Sequence, residues 1–432
     1  MFKICIIFTF FILSFNVNST TISSDIKLAS SNSIPLNEFN LWSETKSLDS
    51  APSFLELDWL YENSIRVPST LGRTGAYVTK IKLTNSKEKS ETWFVNLHVN
   101  YLDIGTAYWQ PEHGDIVKLE SFGQTESENP KLAHSQVFSL PLTYGESGTL
   151  WLYIQAKIFA IPADLKFESK AEFYRSQFLI NNVTSISFTV MMTLALIAFV
   201  IYLRTKYLVT LACAGYIGLH GLGWFAASGS LGHLFTISAF NSSYIGILLF
   251  PFAIAAACQF TRLLFNCQQD YVKLAKIFNS LTVVCLGFGM LLPLLPFDIS
   301  FLLSHLIAVV WIPLCIGTGF LMITKNDFRA KYYLVGNLCY GLTLAMFVLS
   351  HTYKMVWFTS PELVVQIALT FDCICILLSL SEWLQIKEKE FQRSYITSRI
   401  DPLTKIGNRF AQNEALASLT GHYSLKNPHR KM

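Results

Sequence analysis

Three ionisable side chains stand inside long apolar segments of this chain and are its strongest candidates for chemistry: His220, His305 and Asp372. Neighbouring segments contain three further polar residues, Gln259, Asn337 and Gln366. An ionisable group in apolar surroundings is costly, so such groups often serve a proton path, an ion path or a ligand. Asp372 could pair with His220 or His305 in a polar centre between helices. The alternative is an inter-helix hydrogen bond that only holds a bundle together.

The composition indicates a membrane protein. The 432 residues are 52% hydrophobic and 14% charged, against about 25% charged residues in an ordinary soluble domain. The net charge of +4 is modest and no block of Lys and Arg occurs, so nucleic acid is not an expected partner. Of the nine cysteines, Cys5 lies near the N-terminus and the other eight lie between residues 213 and 375, without the spacing of a metal site. We expect them to act as small hydrophobes in the membrane.

Seven apolar segments of spanning length predict a helical membrane domain over residues 180–384. They lie near residues 180–203, 207–232, 241–261, 277–297, 300–323, 332–351 and 361–384. Loops after the odd-numbered segments carry most of the positive charge, such as Arg204, Arg262 and Lys325, and Lys354 is the visible exception elsewhere. Because positive loops stay in the cytoplasm, the first segment should start outside and the chain should end inside. This predicts a multi-pass protein of a bacterial inner membrane.

Residues 1–19 have the features of a signal peptide. Lys3 precedes an apolar run at 4–15, and small or polar residues follow at 16–19. An uncleaved anchor is the alternative, and either reading places the following residues outside the cytoplasm, in agreement with the loop charges. Residues 20–39 are rich in Ser, Thr and Asn, which predicts a loose tether.

Residues 40–176 predict a periplasmic all-β sensor domain. Residues 92–104 alternate in type, with one face formed by Trp93, Val95, Leu97, Val99 and Tyr101, as in a half-buried strand. Residues 77–83 alternate in the same way, and residues 150–156 form a more uniformly apolar strand-like run. Several short strands separated by polar turns favour a β-sandwich or jelly roll.

Four aromatic residues of this domain are candidates for ligand binding: Trp93, Tyr101, Trp109 and Trp151. An exposed ring can stack on a sugar or another flat molecule, whereas core packing is the alternative for each. Trp109 is the candidate most expected to be exposed, because residues 108–112 resemble a loop. No Ser/His/Asp or paired-carboxylate pattern stands out. The domain is therefore expected to bind a small molecule, with carbohydrate as one candidate, rather than to catalyse a reaction.

The cytoplasmic end begins with a predicted linker helix over residues 385–400. Leu384, Phe391 and Ser398 are spaced by seven around a charged run at 387–390. This favours a helix that pairs with a second copy to form a homodimer, and a single solvated helix is the alternative. Pro402 then ends the helix, and Asn408 is a good N-cap for a new helix that begins at Arg409.

The segment 401–410, DPLTKIGNRF, resembles the opening of GGDEF domains, the diguanylate cyclase fold, which reads D-x-L-T-G-L-x-N-R-R-x-F. The matching residues are Asp401, Leu403, Thr404, Asn408 and Arg409. Lys405 stands where the family prefers Gly, and Phe410 stands where a second Arg is usual. The wider layout of residues 40–400 resembles the 7TMR-DISM receptors: an exported β domain, seven spans and a signalling module. That resemblance implies a jelly-roll, carbohydrate-binding-like exported domain.

Residues 401–432 correspond only to an N-terminal stub of an α/β GGDEF domain. In that family the metal-binding Asp, the guanine-binding residues and the Gly-Gly-Asp/Glu-Glu-Phe loop come later in the sequence. We therefore expect a truncated or frame-shifted product, or an incomplete sequence, with neither a catalytic nor a metal site. Mg²⁺ and GTP are implied only for an intact domain.

The leading functional hypothesis is a membrane receptor that passes a periplasmic signal to an output domain making cyclic di-GMP. A non-catalytic receptor that acts through a partner protein is one alternative, and a transporter is another. The odd number of spans and the lack of a clear repeat disfavour a transporter. Residues 385–410 contain no His for a histidine-kinase output, and the last span has no Lys for a retinal.

Overall fold

The protein was analysed as a computed structural model that describes residues 26–28, 33–38, 40–86, 91–97, 99–124, 136–234, 241–353, 361–401, 404, 406–409, 411–413 and 415–417. The predicted signal peptide and Leu403 lie outside these residues. Residues 26–169 form a β domain, and among the described residues that follow it, seven helices are long and apolar enough to cross a membrane. The predicted fold class is confirmed for both parts.

The β domain is a sandwich of two sheets. Its strands are β1 Ile26–Leu28, β2 Ser33–Leu36, β3 Ser43–Thr45, β4 Ile65–Arg66, β5 Gly75–Asn85, β6 Glu91–Leu97, β7 Ile104–Pro111, β8 Val117–Phe122, β9 Gln136–Leu142, β10 Ser147–Ala156 and β11 Leu165–Ser169. One sheet has the order β4-β3-β5-β10-β7-β8, with β1 parallel to the far end of β5. The other has the order β2-β11-β6-β9.

Alternation along β10 explains how one strand contributes to two cores. Leu150, Leu152 and Ile154 enter the core between the sheets, whereas Trp151 and Tyr153 face the opposite side. A helix, α1 Phe54–Glu62, covers that opposite side, and Ser53 caps its N-terminus in a capping box with Glu56. Because both faces of β10 are covered, its central residues 150–154 are apolar or aromatic in succession rather than alternately polar.

Three expectations about this domain were wrong. Residues 26–28 and 33–36 of the expected tether are strands, because they complete the edges of β5 and β11. The predicted strand over 92–104 is two strands, β6 and β7, which lie in different sheets and are joined by the turn at 99–103. Trp109 lies within β7 rather than in a loop and is buried.

The membrane domain contains the remaining helices. They are α2 Lys170–Thr205, α3 Leu208–Ala227, α4 Leu231–Leu234, α5 Ile245–Leu264, α6 Cys267–Asp270, α7 Val272–Leu291, α8 Phe297–Thr324, α9 Ala330–Tyr353 and α10 Pro361–Thr397. Helices α4 and α6 are single turns in the loops, so the seven spans are α2, α3, α5, α7, α8, α9 and α10. Large apolar side chains such as Leu196, Val283, Met290, Leu302 and Leu306 are exposed on the outside of the bundle. A hydrocarbon solvent accounts for that exposure.

Two of the spanning helices are much longer than the roughly 20 residues that a bilayer crossing requires. Helix α2 starts directly after β11 and runs for 36 residues, ten residues earlier than the predicted first segment. Helix α10 runs for 37 residues without a break, so the predicted linker helix is the continuation of the seventh span. Both helices are therefore stiff connections from the bundle to the parts outside it.

A buried carboxylate, Glu38, holds three loops of the β domain together. It accepts hydrogen bonds from Ser69, from both the hydroxyl and the backbone N–H of Thr70, and from the backbone N–H of Ala163. The neighbouring Asp164 accepts the backbone N–H of Glu38 at 2.7 Å. Burial, with a smaller contribution from the charge of Glu38, raises the pKa of Asp164 to about 6.

The raised pKa predicts a specific pH dependence of stability. Folding favours the protonated form of Asp164. The contribution of this carboxyl group to the free energy of unfolding is therefore fully present below the usual carboxyl pKa and is lost as the pH rises through about 6. Asp164→Asn keeps an acceptor for the Glu38 N–H without the charge. At pH 7.5 we expect this variant to unfold at a higher urea concentration than the parent, with a free energy of unfolding larger by at most about 3 kcal/mol. Near pH 4 the two proteins should have the same free energy of unfolding.

The measurement is urea unfolding of the full chain in detergent, followed by tryptophan fluorescence at three pH values. Asp58→Asn, at an exposed position of α1, is the control and should leave the curves unchanged. Equal pH profiles for the parent and Asp164→Asn would contradict the prediction.

Candidate functional site

The β domain contacts the helical bundle through a joint of buried polar groups. On the bundle side the joint is the turn 241–244, which precedes α5; on the other side it is the turn 99–103 between β6 and β7. Asn241 donates to the carbonyl of Tyr101 at 2.7 Å and to the carboxylate of Asp103 at 2.9 Å. The Tyr244 hydroxyl donates to the other Asp103 oxygen at 3.0 Å.

Further hydrogen bonds extend this joint in both directions. Tyr244 Oη accepts the backbone N–H of Lys157 at 3.1 Å, which brings the end of β10 into contact with the bundle. Asn100 donates from Nδ2 to the carbonyl of Ala227 at 2.8 Å, at the end of α3. Ser242 is within 3.4 Å of Gln124, beyond β8. Three parts of the β domain are thus attached to two helices, by side chains that are buried except for the half-buried Asp103 and the exposed Lys157.

Asp103 is the charged centre of the joint. Burial raises the pKa of this carboxyl, while the hydrogen bonds from Asn241 and Tyr244 and the charge of Lys157 oppose the shift. Its two oxygens accept hydrogen bonds from two segments, from Asn241 and Tyr244 of the turn 241–244 and from the backbone N–H of Lys157. Hydrogen bonds to an ionised acceptor are about twice as strong as neutral ones, so Asp103 is expected to dominate the cohesion of the joint.

A second attachment lies at the start of α2. Glu168, fully buried in β11, forms an ion pair with Lys166 at 2.6 Å and accepts a hydrogen bond from Asn96 of β6 at 3.2 Å. The ring of Phe94 on β6 stacks on Phe173 in the first turn of α2, with ring centroids 4.3 Å apart. The sheet and the helix therefore cannot rotate independently about the β11–α2 junction.

A pocket of about 130 Å³ lies beneath the joint, between the β domain and the bundle. Its lining includes His220 of α3, His305 of α8 and Tyr101, three residues that the sequence singled out separately. The volume is close to that of a cavity of about 150 Å³ that holds one benzene molecule. A small ligand placed here would touch both the joint and the helices.

Close backbone packing of α3 on α5 fixes one wall of this pocket. A Cβ atom at Gly246 would lie 2.7 Å from the carbonyl oxygen of Gly223 and 2.8 Å from Cβ of Ala227. Both glycines line the pocket. A side chain at Gly246 would push the helices apart, whereas a Cβ atom at Gly223 would make only ordinary contacts at 3.7 Å or more, so this wall depends on glycine at position 246.

Asp372 lies in the interior of the bundle, completely buried on α10. Its Oδ2 accepts the hydroxyl of Tyr216 at 2.5 Å, and the carbonyl of Tyr216 is 2.9 Å from Nδ1 of His220. Asp372 is thus connected to His220 through Tyr216 rather than paired with it directly. His305 instead lies 2.8 Å from the carbonyl of Phe301 on its own helix.

Helix α9 leaves room for this carboxylate. A Cβ atom at Gly336 would lie only 2.5 Å from Oδ1 of Asp372. Helices α3, α9 and α10 therefore meet at one buried polar pair. Within the described residues, no group of three or more His, Cys, Asp or Glu side chains could hold a metal ion.

The other aromatic candidates lie in the cores of the β domain. Trp93 and Trp109 are buried between the two sheets, and Trp151 is buried beneath α1. Trp151 packs edge-on against Phe54 and Tyr61 of that region, with Lys80 above its ring. These three rings offer no exposed face for stacking, whereas Tyr101 reaches the pocket.

The start of the predicted output domain folds as a local cap. The Asp401 carboxylate accepts the backbone N–H of Thr404 at 2.9 Å, and Asn408 accepts the N–H of Ala411 at 3.1 Å as the expected N-cap. The backbone N–H of Asn408 donates to the carbonyl of Arg399, which folds the segment back on α10. Arg409 is exposed.

Sequence reasoning did not identify Asn241, Tyr244, Asp103, Asn100 or Tyr216. One signal was present, because the polar run 241–244 interrupts the apolar segments just before the third span. The partners of that run are more than 100 residues away in sequence, and no local pattern indicates them.

Comparison with known proteins identifies the membrane part. Residues 181–383 match the family model described as 7TM diverse intracellular signalling, 7TMR-DISM_7TM. No curated protein matches the chain. The family match and the seven apolar helices together indicate a multi-pass membrane protein and suggest a sensor or receptor. The resemblance to that family is confirmed for these residues, and the GGDEF resemblance stays a prediction.

Tyr244→Phe tests the joint. The variant keeps the ring but removes the hydroxyl between Asp103 and Lys157, so we expect the joint to open more often. Loss of a hydrogen bond to a charged acceptor costs about 1.5–3 kcal/mol, which corresponds to about a tenfold or larger gain in amide exchange at 99–104 and 241–245. The measurement is hydrogen exchange of the full chain. Tyr144→Phe, at an exposed turn, is the control, and equal exchange in both variants would contradict the assignment.

Tyr216→Phe tests the buried pair at Asp372. Removing the hydroxyl leaves a buried carboxyl group without its donor, which costs about 1–3 kcal/mol or more. We expect a lower melting temperature of the full chain in detergent. The double variant Tyr216→Phe with Asp372→Leu should lose less than the sum of the two single changes. Tyr207→Phe, half exposed at the start of α3, is the control. Additive effects of the two changes would show that the pair is not coupled.

Proposed function

We propose that this chain is the sensing and transmitting part of a bacterial membrane receptor. The β domain lies in the periplasm and responds to a small molecule. The joint between 99–103 and 241–244 passes the response to the seven-helix bundle, and α10 carries it to a cytoplasmic output. The joint is the observation that carries this proposal, since buried hydrogen bonds make the β domain and the bundle move as one body.

Several features support the proposed direction of signalling. The Lys and Arg residues of the loops favour a cytoplasmic C-terminus. Helix α10 places Asp372 and the exposed residues Phe391 and Tyr395 on one rigid element, so a shift inside the bundle also moves the surface of the linker. Exposed Phe391 at a heptad position supports pairing of two linkers in a homodimer.

The same geometry argues against a transporter. Transporters commonly bind substrate where spanning helices are interrupted near the middle of the membrane. In the described part of the chain, each of the seven spans is one continuous helix, and Pro251 and Pro313 do not break α5 or α8. The pocket lies at the end of the bundle, against the β domain, rather than across it.

The output is proposed to be a GGDEF-type diguanylate cyclase. The support is the match of Asp401, Thr404, Asn408 and Arg409 to the opening of that domain, directly after a long helix from the membrane. An intact domain of this kind would condense two GTP to cyclic di-GMP with Mg²⁺.

Cysteine labelling tests the orientation. We expect Lys118→Cys on β8 to react with a membrane-impermeant maleimide in intact spheroplasts. Lys389→Cys on α10 should react only after the membrane is permeabilised. The parent chain is the control for background labelling, since seven of its eight described cysteines are buried. The reverse labelling pattern would contradict the proposed orientation.

The output is tested by reading the gene beyond codon 432 and expressing the complete product. We expect the reading frame to continue into a Gly-Gly-Asp/Glu-Glu-Phe segment and the cells to contain more cyclic di-GMP. Tyr244→Phe should change that level, whereas Tyr144→Phe should not. A complete product without cyclic dinucleotide under any stimulus would contradict the cyclase output. A stop after codon 432 would favour a receptor that acts through a partner protein.

A further inference from the structure

A carboxylate without a protein partner lies in the pocket beneath the joint. Glu362, in the first turn of α10, lines this pocket of about 130 Å³. Within the described part of the chain, it forms no hydrogen bond and no ion pair. Its side chain is half-buried, and neither of its oxygens is among the enclosed, unpartnered polar atoms of the described residues. A molecule in the pocket therefore has access to this charge.

The charge of Glu362 acts on the β-domain side of the pocket. Burial raises the pKa of the Tyr101 hydroxyl well above its usual range, a hydrogen bond at Ile161 opposes the shift, and the charge of Glu362 adds to it. Tyr101 lines the same pocket from the turn 99–103. The carboxylate is thus close enough to this wall to act on it electrostatically.

No side chain of the described lining pairs with this charge. The described lining contains no Lys or Arg. Its two histidines each place Nδ1 against a carbonyl of their own helix, at 2.9 Å for His220 and 2.8 Å for His305. Lys157 is exposed and lies outside the lining, with its ammonium group 5.3 Å from the ring centroid of Tyr244. The pocket therefore has a negative charge that an occupant can balance.

The walls of the pocket are largely aromatic. Five rings from α3, α5, α8 and α9 line it and are half-buried, so each keeps part of its surface open: Trp224, Phe250, Phe297, Phe301 and Phe347. The face of an aromatic ring attracts a cation within about 6 Å, and Trp does so most strongly. Aromatic walls are a recurring means of binding ammonium groups, and a carboxylate adds the opposite charge.

Charge determines which occupant is favoured. A ligand that fills the pocket removes water from Glu362, and an ionised carboxylate that loses water without gaining a partner is costly. A neutral ligand leaves this cost uncompensated, and an anion adds repulsion. A cation offsets the cost through a charge-assisted hydrogen bond. A metal ion is disfavoured, because no group of three or more His, Cys, Asp or Glu side chains among the described residues could hold one.

From this arrangement we infer that the pocket binds a small organic cation, an ammonium group attached to an apolar body. The ammonium group pairs with Glu362, and the body lies against the aromatic walls. The inference deepens the proposed receptor function by giving the chemistry of its ligand, and it rests on that function only for the signalling consequence.

Such a ligand acts at the helix that leads to the output. Glu362 lies at the start of α10, which runs without a break to Thr397, whereas Tyr101, Ile158 and Ala160 line the pocket from the β domain. A cation held between them stabilises arrangements in which the start of α10 stays close to the β domain. A ligand shifts a receptor only by its differential affinity for such arrangements.

The test compares three probes that share one ring and differ in charge: benzylamine, benzyl alcohol and benzoate. Binding to the full chain in a neutral maltoside detergent is measured by titration calorimetry at pH 7.5, where benzylamine is a cation. We expect benzylamine to bind at least about tenfold more tightly than either other probe. Equal affinity for benzylamine and benzyl alcohol would overturn the inference, because the pocket would then recognise only an apolar body. No binding of benzylamine, or a preference for benzoate, would also overturn it.

Glu362→Gln tests the charge of the site. The change keeps the shape of the side chain, and we expect it to weaken benzylamine about tenfold and to leave benzyl alcohol unchanged. Glu382→Gln is the matched control, because it makes the same change at a half-buried position of the same helix outside the described lining. It should bind all three probes as the parent does. Weaker benzylamine binding in both variants, or in neither, would overturn the assignment to Glu362.

Phe347→Leu tests the aromatic wall. The variant keeps an apolar side chain but has no ring, so we expect the affinity for benzylamine to fall about threefold through the lost cation–π attraction. Unchanged affinity would place the probe away from this wall and overturn the assignment to the pocket.

Two sources could supply the ammonium group, a free amine of the periplasm or the head group of phosphatidylethanolamine. The benzylamine titration is therefore repeated with short-chain phosphatidylethanolamine or phosphatidylglycerol added to the detergent. Weaker benzylamine binding with phosphatidylethanolamine alone would identify a site for a lipid head group, and no effect of either lipid would identify a site for a free amine. Equal competition by both lipids would show that acyl chains fill the pocket and would overturn the inference.

Failure of the receptor proposal is separable from failure of this one. The complete product is exposed to benzylamine in cells, and cyclic di-GMP is measured. Benzylamine binding that depends on Glu362, with no change in cyclic di-GMP, would reject the signalling role and keep the site.

Discussion

The carboxylate of Asp103 is the interaction on which the relation between the two domains depends. A half-buried charge is stable when its oxygens receive hydrogen bonds, and here the donors come from two segments, Asn241 and Tyr244 of the turn 241–244 and the backbone N–H of Lys157. The turn 241–244 cannot leave the β domain without exposing these groups or leaving them without partners. One charge therefore fixes the position of the sandwich on the bundle and, with it, the roof of the pocket.

The connections on either side make this joint effective. Helix α2 follows β11 without a loop, and Glu168 with the stacked pair Phe94 and Phe173 prevents rotation at that junction. A displacement in the sheets must then reach the bundle along two routes, through α2 and through the turn before α5. At the other end, α10 continues from the bundle core into the linker without a break. Flexible loops would absorb such a displacement, whereas continuous helices transmit it.

The parts of the structure that the sequence predicted are those with a local physical cause. Seven spans follow from apolar length, the strand at 77–83 from alternation, and the cap at Asn408 from its side chain next to a helix start. The errors have non-local causes. The strands at 26–28 and 33–36 were predicted as a tether, because the strands with which they pair, β5 and β11, are distant in sequence. Trp109 was predicted to be exposed, because the neighbouring strands β8 and β10 that enclose it are not visible in the local pattern.

The candidate site was predictable in its residue types but not in its pairs. His220, His305 and Asp372 were identified because they are ionisable residues within apolar spans. Two of them, His220 and His305, line one pocket. The partner of Asp372 is Tyr216, and a tyrosine in an apolar span is too common to indicate a functional site. Which of several tyrosines faces a given carboxylate depends on helix rotation, and rotation is set by packing across the whole bundle rather than by a short pattern.

The Asp372–Tyr216 pair restricts the arrangement of the helices more than it adds to the stability of the bundle. A buried polar pair is often no more stable than apolar residues of the same volume, because desolvation offsets its attraction. It does, however, penalise every arrangement in which the two groups separate. Helices α3 and α10 would slide over one another at little cost if leucines replaced the pair, whereas a buried carboxylate without its donor is expensive. Gly336 on α9 narrows the choice further, since its backbone lies where any larger residue would collide with Asp372. The bundle therefore has few low-energy arrangements, and a receptor that must switch between distinct states needs few well-separated arrangements rather than a continuum.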